Sequence, residues 1–513
     1  MCGRARPSSI DLVKRVLLQL SGAVVAVIVL VTAIAAGVVV HAWNSTVVDT
    51  TGQVTFDRPL NIPPLADSTV TPDGVRVFDL TMQRGTTDIG RGPGTRTWGV
   101  NGSYLGPTLR AGRGEQVRVN VTNDLGETGT LHWHGMHLPA AMDGGPHQPI
   151  APGATWSPQW TIDQPAATLW YHPHPHGATA DHVYRGVAGM FLLDDPAGGP
   201  SLPDRYGIDD IPLVVQDKRF DGDQLDTGGP MFAAVGLLGD EIVVNGTPRP
   251  YLDVATERIR LRLLNASNAR VYNFSFDAGL PFLLIGTDGG LLERPAPMRR
   301  IQLSPGERAE IVVALPAGTT TVLRSTAPDL GADFWQTRFS GGDDEFDVLE
   351  LRAARTLAPS APVPEEPTTP EDLGTPTVTR RIDLTGSGTI DGREMDMARL
   401  DQTVAAGATE VWEVRNSSGA IHNFHIHGTS FRVLGDGHPA LSGPKDTVYI
   451  APGHTVRLLM RFAGRPGPAT PYMYHCHLLR HEDNGMMGQF VVVAPGEEPN
   501  VPHEPAAHTA VHE

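Results

Sequence analysis

"GEQVRVNVTN", residues 114–123, alternates apolar and polar side chains and then meets asparagine. Alternation with a period of two marks a half-buried β-strand. The pattern returns as "TERIRLRLLN" at 256–265 and "ATEVWEVRN" at 408–416. A second echo follows each, always in the same order: "APGATWSPQWTI" (151–162), "LSPGERAEIVVAL" (303–315) and "APGHTVRLLMRF" (451–462). Single Pro-Gly turns are common, but two motifs recurring in order at one long period mark an internal repeat. The chain is therefore expected to be all-β, with three β-sandwich units of similar topology and Greek-key connections. Its 57 glycines and 44 prolines in 513 residues suit the many turns of such a fold.

Composition sets the boundaries. The first unit is expected over 71–200, ending near "LLDDPAGGPSLPD". The second covers 201–357 and the third 377–495. Between the last two, 358–376 is rich in proline and glutamate and reads as a linker. Residues 43–70 read as an extended stalk. The polar tail 496–513, with His503, His508 and His512, is expected to be disordered.

Residues 1–42 carry an apolar run from Val16 to Val40, preceded by Arg4, Arg6, Lys14 and Arg15. The run is long enough to span a bilayer, and the basic flank places the N-terminus in the cytoplasm. A transmembrane anchor is the favoured reading and a cleaved signal peptide the alternative. Either exports the body, as a cell-surface or secreted extracellular protein. The net charge of −17 argues against a nucleic-acid partner. The only cysteines are Cys2 and Cys476, so no disulfide forms within the exported part, and Cys476 requires another explanation.

Histidine supplies one. None of the 20 lies between His182 and His422, so the middle unit is silent. The flanking units hold four His-x-His pairs: His132/His134, His172/His174, His425/His427 and His475/His477. On a strand, residues i and i+2 face one way, so each pair aims two imidazoles at one point. Eight imidazoles suit a cluster of about three ions, formed where the first unit meets the third. Cys476 stands between His475 and His477 and must face the opposite side, with His422, His481 and Met486. Two histidines, a thiolate and a weak thioether form the ligand set of a blue, type 1 copper site. A zinc site leaves the methionine and the adjacent cluster unexplained.

These motifs resemble the signatures of the three-domain multicopper oxidases, which include laccases, bilirubin oxidases and bacterial copper-efflux oxidases. They are "HWHG" (132–135), "WYHPHPHG" (170–177), "HNFHIHG" (422–428) and "HCHLLRHEDNGMM" (475–487). Finer segments such as "RLLNASNARVYNF" look closest to the copper-efflux type. The resemblance implies three cupredoxin-like domains and four copper ions. It implies type 2 copper on His132 and His425, and type 3 coppers on His134, His172 and His477 and on His174, His427 and His475. Type 1 copper would take His422, Cys476 and His481, with Met486 axial. His176 has no ligand role in this scheme.

The implied reaction is oxidation of a small donor at type 1 copper, coupled to reduction of O2 to water. Cys476, His475 and His477 would carry the electrons, and Asp143 and Glu482 would relay protons. For the donor, residues 355–400 hold only Met395 and Met397, and Ser417 and Ser418 stand where the copper-efflux type often has an acidic residue. This favours phenols and aromatic amines, reached through an open edge at His481, over Cu(I), Fe(II) or Mn(II). A non-catalytic copper-sequestering surface protein is the remaining alternative.

Overall fold

A computed structural model describes residues 9–498, apart from 196–198, 200, 230–231, 436 and 463. Cys2, His503, His508 and His512 lie outside the described residues. The described residues before Val48 form a unit of their own. It contains one helix, Ser9–Ser45, whose segment Val16–Ser45 is long and apolar enough to cross a membrane and has none of its apolar window buried.

From Val48 onward the body consists of stacked sheets. In the first unit a sheet built on Val75–Thr87 and Gln116–Asp124 accompanies a four-stranded one: Leu109–Gly112, Gly189–Asp194, Ala167–His172 and His132–His134. The middle unit has sheets of seven and six strands, and the third unit sheets of four and five. Aliphatic and aromatic residues between the sheets form one main apolar cluster per unit. A parallel strand pair recurs in all three units. Val75–Thr87 runs beside Gln116–Asp124, Asp210–Lys218 beside Arg258–Asn265, and Val378–Leu384 beside Thr409–Asn416.

The asparagines that end the repeated strands share one task. The side-chain amides of Asn123, Asn265 and Asn416 each donate to two backbone carbonyls, and each Oδ1 accepts the N–H two residues on. Their backbones also pair with the Pro-Gly turn of the same unit, through Gly153, Gly306 and Gly453. All three glycines have positive φ, at 78°, 85° and 76°. The two sequence echoes are therefore the two halves of one lock. Asn416→Ala would leave the carbonyls of Ala420 and Ile450 without this donor and release Ser418. Stability should fall by about 2–4 kcal/mol, read as a lower urea midpoint with unchanged m-value.

The stalk expected over 43–70 is a correction. The helix runs through Ser45. Farther on, Arg58–Pro59 pairs with Pro250–Tyr251 of the middle unit, and Phe56 and Leu60 are buried. Ser68–Val70 already belongs to the first unit's sheet. Apolar side chains at alternate positions made this segment a strand-like strap.

Candidate metal centre

Strand register brings the histidine pairs together. His132 lies opposite His172 between two antiparallel strands of the first unit, and His425 lies opposite His475 in the third. His174, His427 and His477 stand just beyond their strand ends rather than on them. All eight rings are buried. The two units meet ring on ring, with His132 stacked on His427 at 3.9 Å and His134 on His425 at 3.7 Å. Three donor groups result: His132, His134 and His425; His134, His172 and His477; His174, His427 and His475. Within each group the ligand atoms lie within 4.8 Å of one another.

Most rings have one nitrogen anchored and the other turned inward. Nδ1 of His132 meets the Asp143 carbonyl at 2.9 Å, and Nδ1 of His425 meets that of Asp446 at 2.8 Å. Nδ1 of His172 and His475 meet the carbonyls of Pro173 and Cys476. The Nε2 atoms of His132 and His425 and both nitrogens of His477 have no hydrogen-bond partner among the described residues. Nε2 of His174 and of His427 approach His475 Nε2 at 3.1 and 3.2 Å. His134 is reversed: its Nε2 reaches Asp446 Oδ1 at 3.0 Å and its Nδ1 faces His172.

Burial pushes His134, His172, His174, His427, His475 and His477 well below the usual imidazole range, and lowers His425 as well. These rings are neutral and keep a free lone pair. Buried polar atoms without partners are rare in native proteins, and several of them sit together here. A pool of fixed, neutral imidazole lone pairs fits copper.

Cys476 belongs to a second donor group, with His422 and His481. Its sulfur lies 3.5 Å from His422 Nδ1 and 3.7 Å from His481 Nδ1. Burial pushes the thiol up to about 12 and the two imidazoles down, to about 2 for His422 and about 4 for His481. Met486 is fully buried in the same apolar cluster as Cys476. Ser418 Oγ sits 2.9 Å from His422 Nε2 and anchors that ring.

The open edge expected at His481 does not exist. His481 is fully buried, and its Nε2 meets the Ala234 carbonyl at 3.2 Å, because a loop of the middle unit lies over it.

Carboxylates flank the cluster. Asp143 Oδ2 lies 2.7 Å from His427 Nδ1. The oxygens of Glu482 lie 3.3 Å from Nδ1 of His174 and of His475, and burial raises this carboxyl well above its ordinary range. Asp143 also closes a turn, its backbone N–H donating to the Ala140 carbonyl at 3.2 Å, and the next residue must be glycine, since a Cβ on Gly144, at φ +80°, would stand 1.8 Å from the Leu131 carbonyl oxygen. His176 is exposed.

Sequence reading missed two supports. Asn423 Oδ1 accepts the His477 N–H at 2.6 Å and lies 3.6 Å from the Cys476 sulfur, while its Nδ2 donates to the Pro305 carbonyl. Asp446 touches His134 and His425. Burial alone would raise its carboxyl, but Arg308 and His134 hold it well below the usual range.

The chain matches the multicopper oxidase family over 81–198, 217–321 and 363–496. It is 35% identical to the multicopper oxidase mco of Staphylococcus aureus, over 84% of this chain and 92% of that protein. It is 34% identical to the cell division protein FtsP of Escherichia coli K12, over 85% and 93%. Among solved structures, a laccase from Pediococcus acidilactici aligns with a TM-score of 0.77 at 34% identity, covering 86% of this chain and 94% of that one. A Campylobacter jejuni multicopper oxidase described as a metallo-oxidase aligns with a TM-score of 0.76 at 26% identity, covering 87% and 98%.

Proposed function

Since the chain belongs to the multicopper oxidase family, we propose that it oxidises phenolic and aromatic amine donors one electron at a time and reduces O2 to water. It is an oxidoreductase of a copper-dependent family. In this reading His422, Cys476, His481 and Met486 would hold type 1 copper. Type 2 takes His132 and His425. The type 3 pair takes His134, His172 and His477, and His174, His427 and His475. Bound copper supplies the one-electron exchange and the reduction of O2.

The observation that carries this reading is the chain path at 475–477. Cys476 faces one donor set while its immediate neighbours His475 and His477 face the other, so a single residue of backbone joins the two. Sandwich strands on both sides keep the ligand frame fixed. Asp143 Oδ2 accepts from the outer nitrogen of His427, and the Glu482 carboxyl lies 3.3 Å from those of His174 and His475, so both stand within reach for general acid catalysis. The apolar N-terminal helix supports an exported body, either anchored or secreted.

Aromatic donors are favoured by an exposed aromatic pair at the loop that covers His481. Phe232 and Trp335 are 44% and 37% exposed, with ring centroids 6.1 Å apart. Phe232 stands two residues from Ala234, whose carbonyl meets His481. Trp335→Ala should raise KM for a phenol about two- to tenfold by removing one aromatic contact, and leave KM for Fe(II) unchanged. Equal effects on both donors would remove this support.

The metal-ion reading is favoured by the segment around Met395, whose backbone N lies 3.2 Å from where a Cβ on Gly485 would stand, next to Met486. The deciding test compares Cu(I), Fe(II) and a phenol on copper-loaded protein. Higher kcat/KM for the phenol supports the laccase-like reading, and Cu(I) ahead by orders of magnitude defeats it. A sequestering protein would consume no O2 with any donor.

A further inference from the structure

The middle unit holds none of the proposed copper ligands, yet one of its side chains reaches the cluster's supports. Arg308, on the strand Arg308–Ala314, is fully buried. Its five N–H groups all have acceptors. Nη1 and Nη2 grip Asp446 Oδ1 and Oδ2, each at 2.6 Å. Nε donates to the Thr168 carbonyl at 2.9 Å, on the first-unit strand that ends in His172. The remaining donors reach the carbonyls of Gly306 and Asp288, at 3.0 and 2.9 Å. One planar guanidinium thus touches all three units in a geometry that a lysine ammonium cannot reproduce.

Asp446 passes this constraint to the histidines. Its Oδ1 accepts from His134 Nε2 at 3.0 Å, which leaves Nδ1 of that ring as the inward lone pair. Its backbone carbonyl accepts from His425 Nδ1 at 2.8 Å, which turns Nε2 inward. Asp288 Oδ1 accepts the Arg308 N–H, and its Oδ2 meets Lys445 Nζ, which also reaches Glu307. Gly135, at φ +84°, makes room for the grip. A Cβ there would stand 2.6 Å from Asp446 Oδ2 and 2.7 Å from Arg308 Nη2. The glycine of "HWHG" is therefore required by the Arg308–Asp446 pair.

We propose that Arg308 is a positioning residue for the trinuclear cluster, orienting His134 and His425 through Asp446. The inference rests on the proposed copper assignment. It gives the ligand-free middle unit a part in the chemistry and explains the reversed ring of His134.

The test is Arg308→Lys in the full-length, copper-loaded protein, beside Arg262→Lys. Arg262 is a buried middle-unit arginine that pairs with Asp210 and Glu310 and touches the Thr168 hydroxyl, but has no contact with Asp446. In R308K the blue absorption should persist and KM for the donor stay unchanged. The type 2 electron paramagnetic resonance signal should shift or lose intensity, and kcat should fall about tenfold. R262K should lose thermal stability without changing that signal. An unaltered type 2 signal and kcat in R308K, or the same spectral change in R262K, would overturn the inference. If R308K does not fold, Asp446→Asn is read in the same way, and a wild-type signal there overturns it equally. A wild-type protein with a blue centre but no type 2 signal would overturn the cluster assignment, and this inference with it.

Discussion

Cys476→Ser is expected to abolish both the blue absorption and the oxidase turnover while leaving the histidine cluster able to bind copper. The sulfur is the one thiolate in its donor set, and a serine oxygen is a poor substitute for it. Folding should survive the change. A serine hydroxyl at this buried position has Asn423 Oδ1 within about 3.6 Å of the former sulfur site, so it need not remain without a partner. His475 keeps its anchor, because its Nδ1 is held by the residue 476 backbone carbonyl and not by the side chain, and the His477 backbone N–H stays on Asn423 Oδ1. Copper content should drop by one ion per chain, and the type 2 signal should persist. A variant that keeps its blue colour would show that the thiolate is not a ligand. One that loses colour but keeps full turnover would show that electrons do not pass through residue 476.

Asp143→Asn should separate the two halves of the reaction. Asparagine keeps the shape of the carboxylate and the backbone carbonyl that holds His132, but not the proton-accepting oxygen 2.7 Å from His427 Nδ1. The blue absorption and its bleaching by a donor under anaerobic conditions should match the wild type. Reoxidation by O2 should slow by about 10²–10⁴-fold, the usual weight of a positioned acid or base. Full copper occupancy would show that the loss is in proton delivery and not in metal binding. Unchanged turnover would reduce Asp143 to its turn-forming part.

The proposed ligands were legible because they are chemically marked. A histidine at i and i+2 on a strand, or a lone cysteine between two of them, has few other reasons to exist, and spacing alone groups them. The three-unit architecture was legible for a similar reason, since asparagine and Pro-Gly recur at the same points of each unit. The supports were not. Arg308 and Asp446 are 138 residues apart, and nothing local distinguishes them from surface charges until the fold buries them together. Asn423 stood inside a quoted motif, yet only the folded chain shows it reaching the sulfur, His477 and the middle unit at once. The strap at 48–70 was misread because Pro- and Asp-rich sequence looks extended both on a surface and free in solvent. The burial of His481 depends on a loop some 250 residues earlier, which no local pattern announces.

Relatives of nearly equal identity are named for oxidase activity and for cell division, so the donor sets carry the functional argument here, beyond family membership. The central claim is that two copper centres joined through Cys476 drive O2 to water. Its most direct test is the stoichiometry of O2 uptake by copper-loaded protein with a one-electron phenolic donor and a peroxide trap present. Two centres joined in this way should oxidise four donor molecules per O2 consumed and release no peroxide. A ratio of two with peroxide released, or no O2 uptake at full copper occupancy, would contradict it.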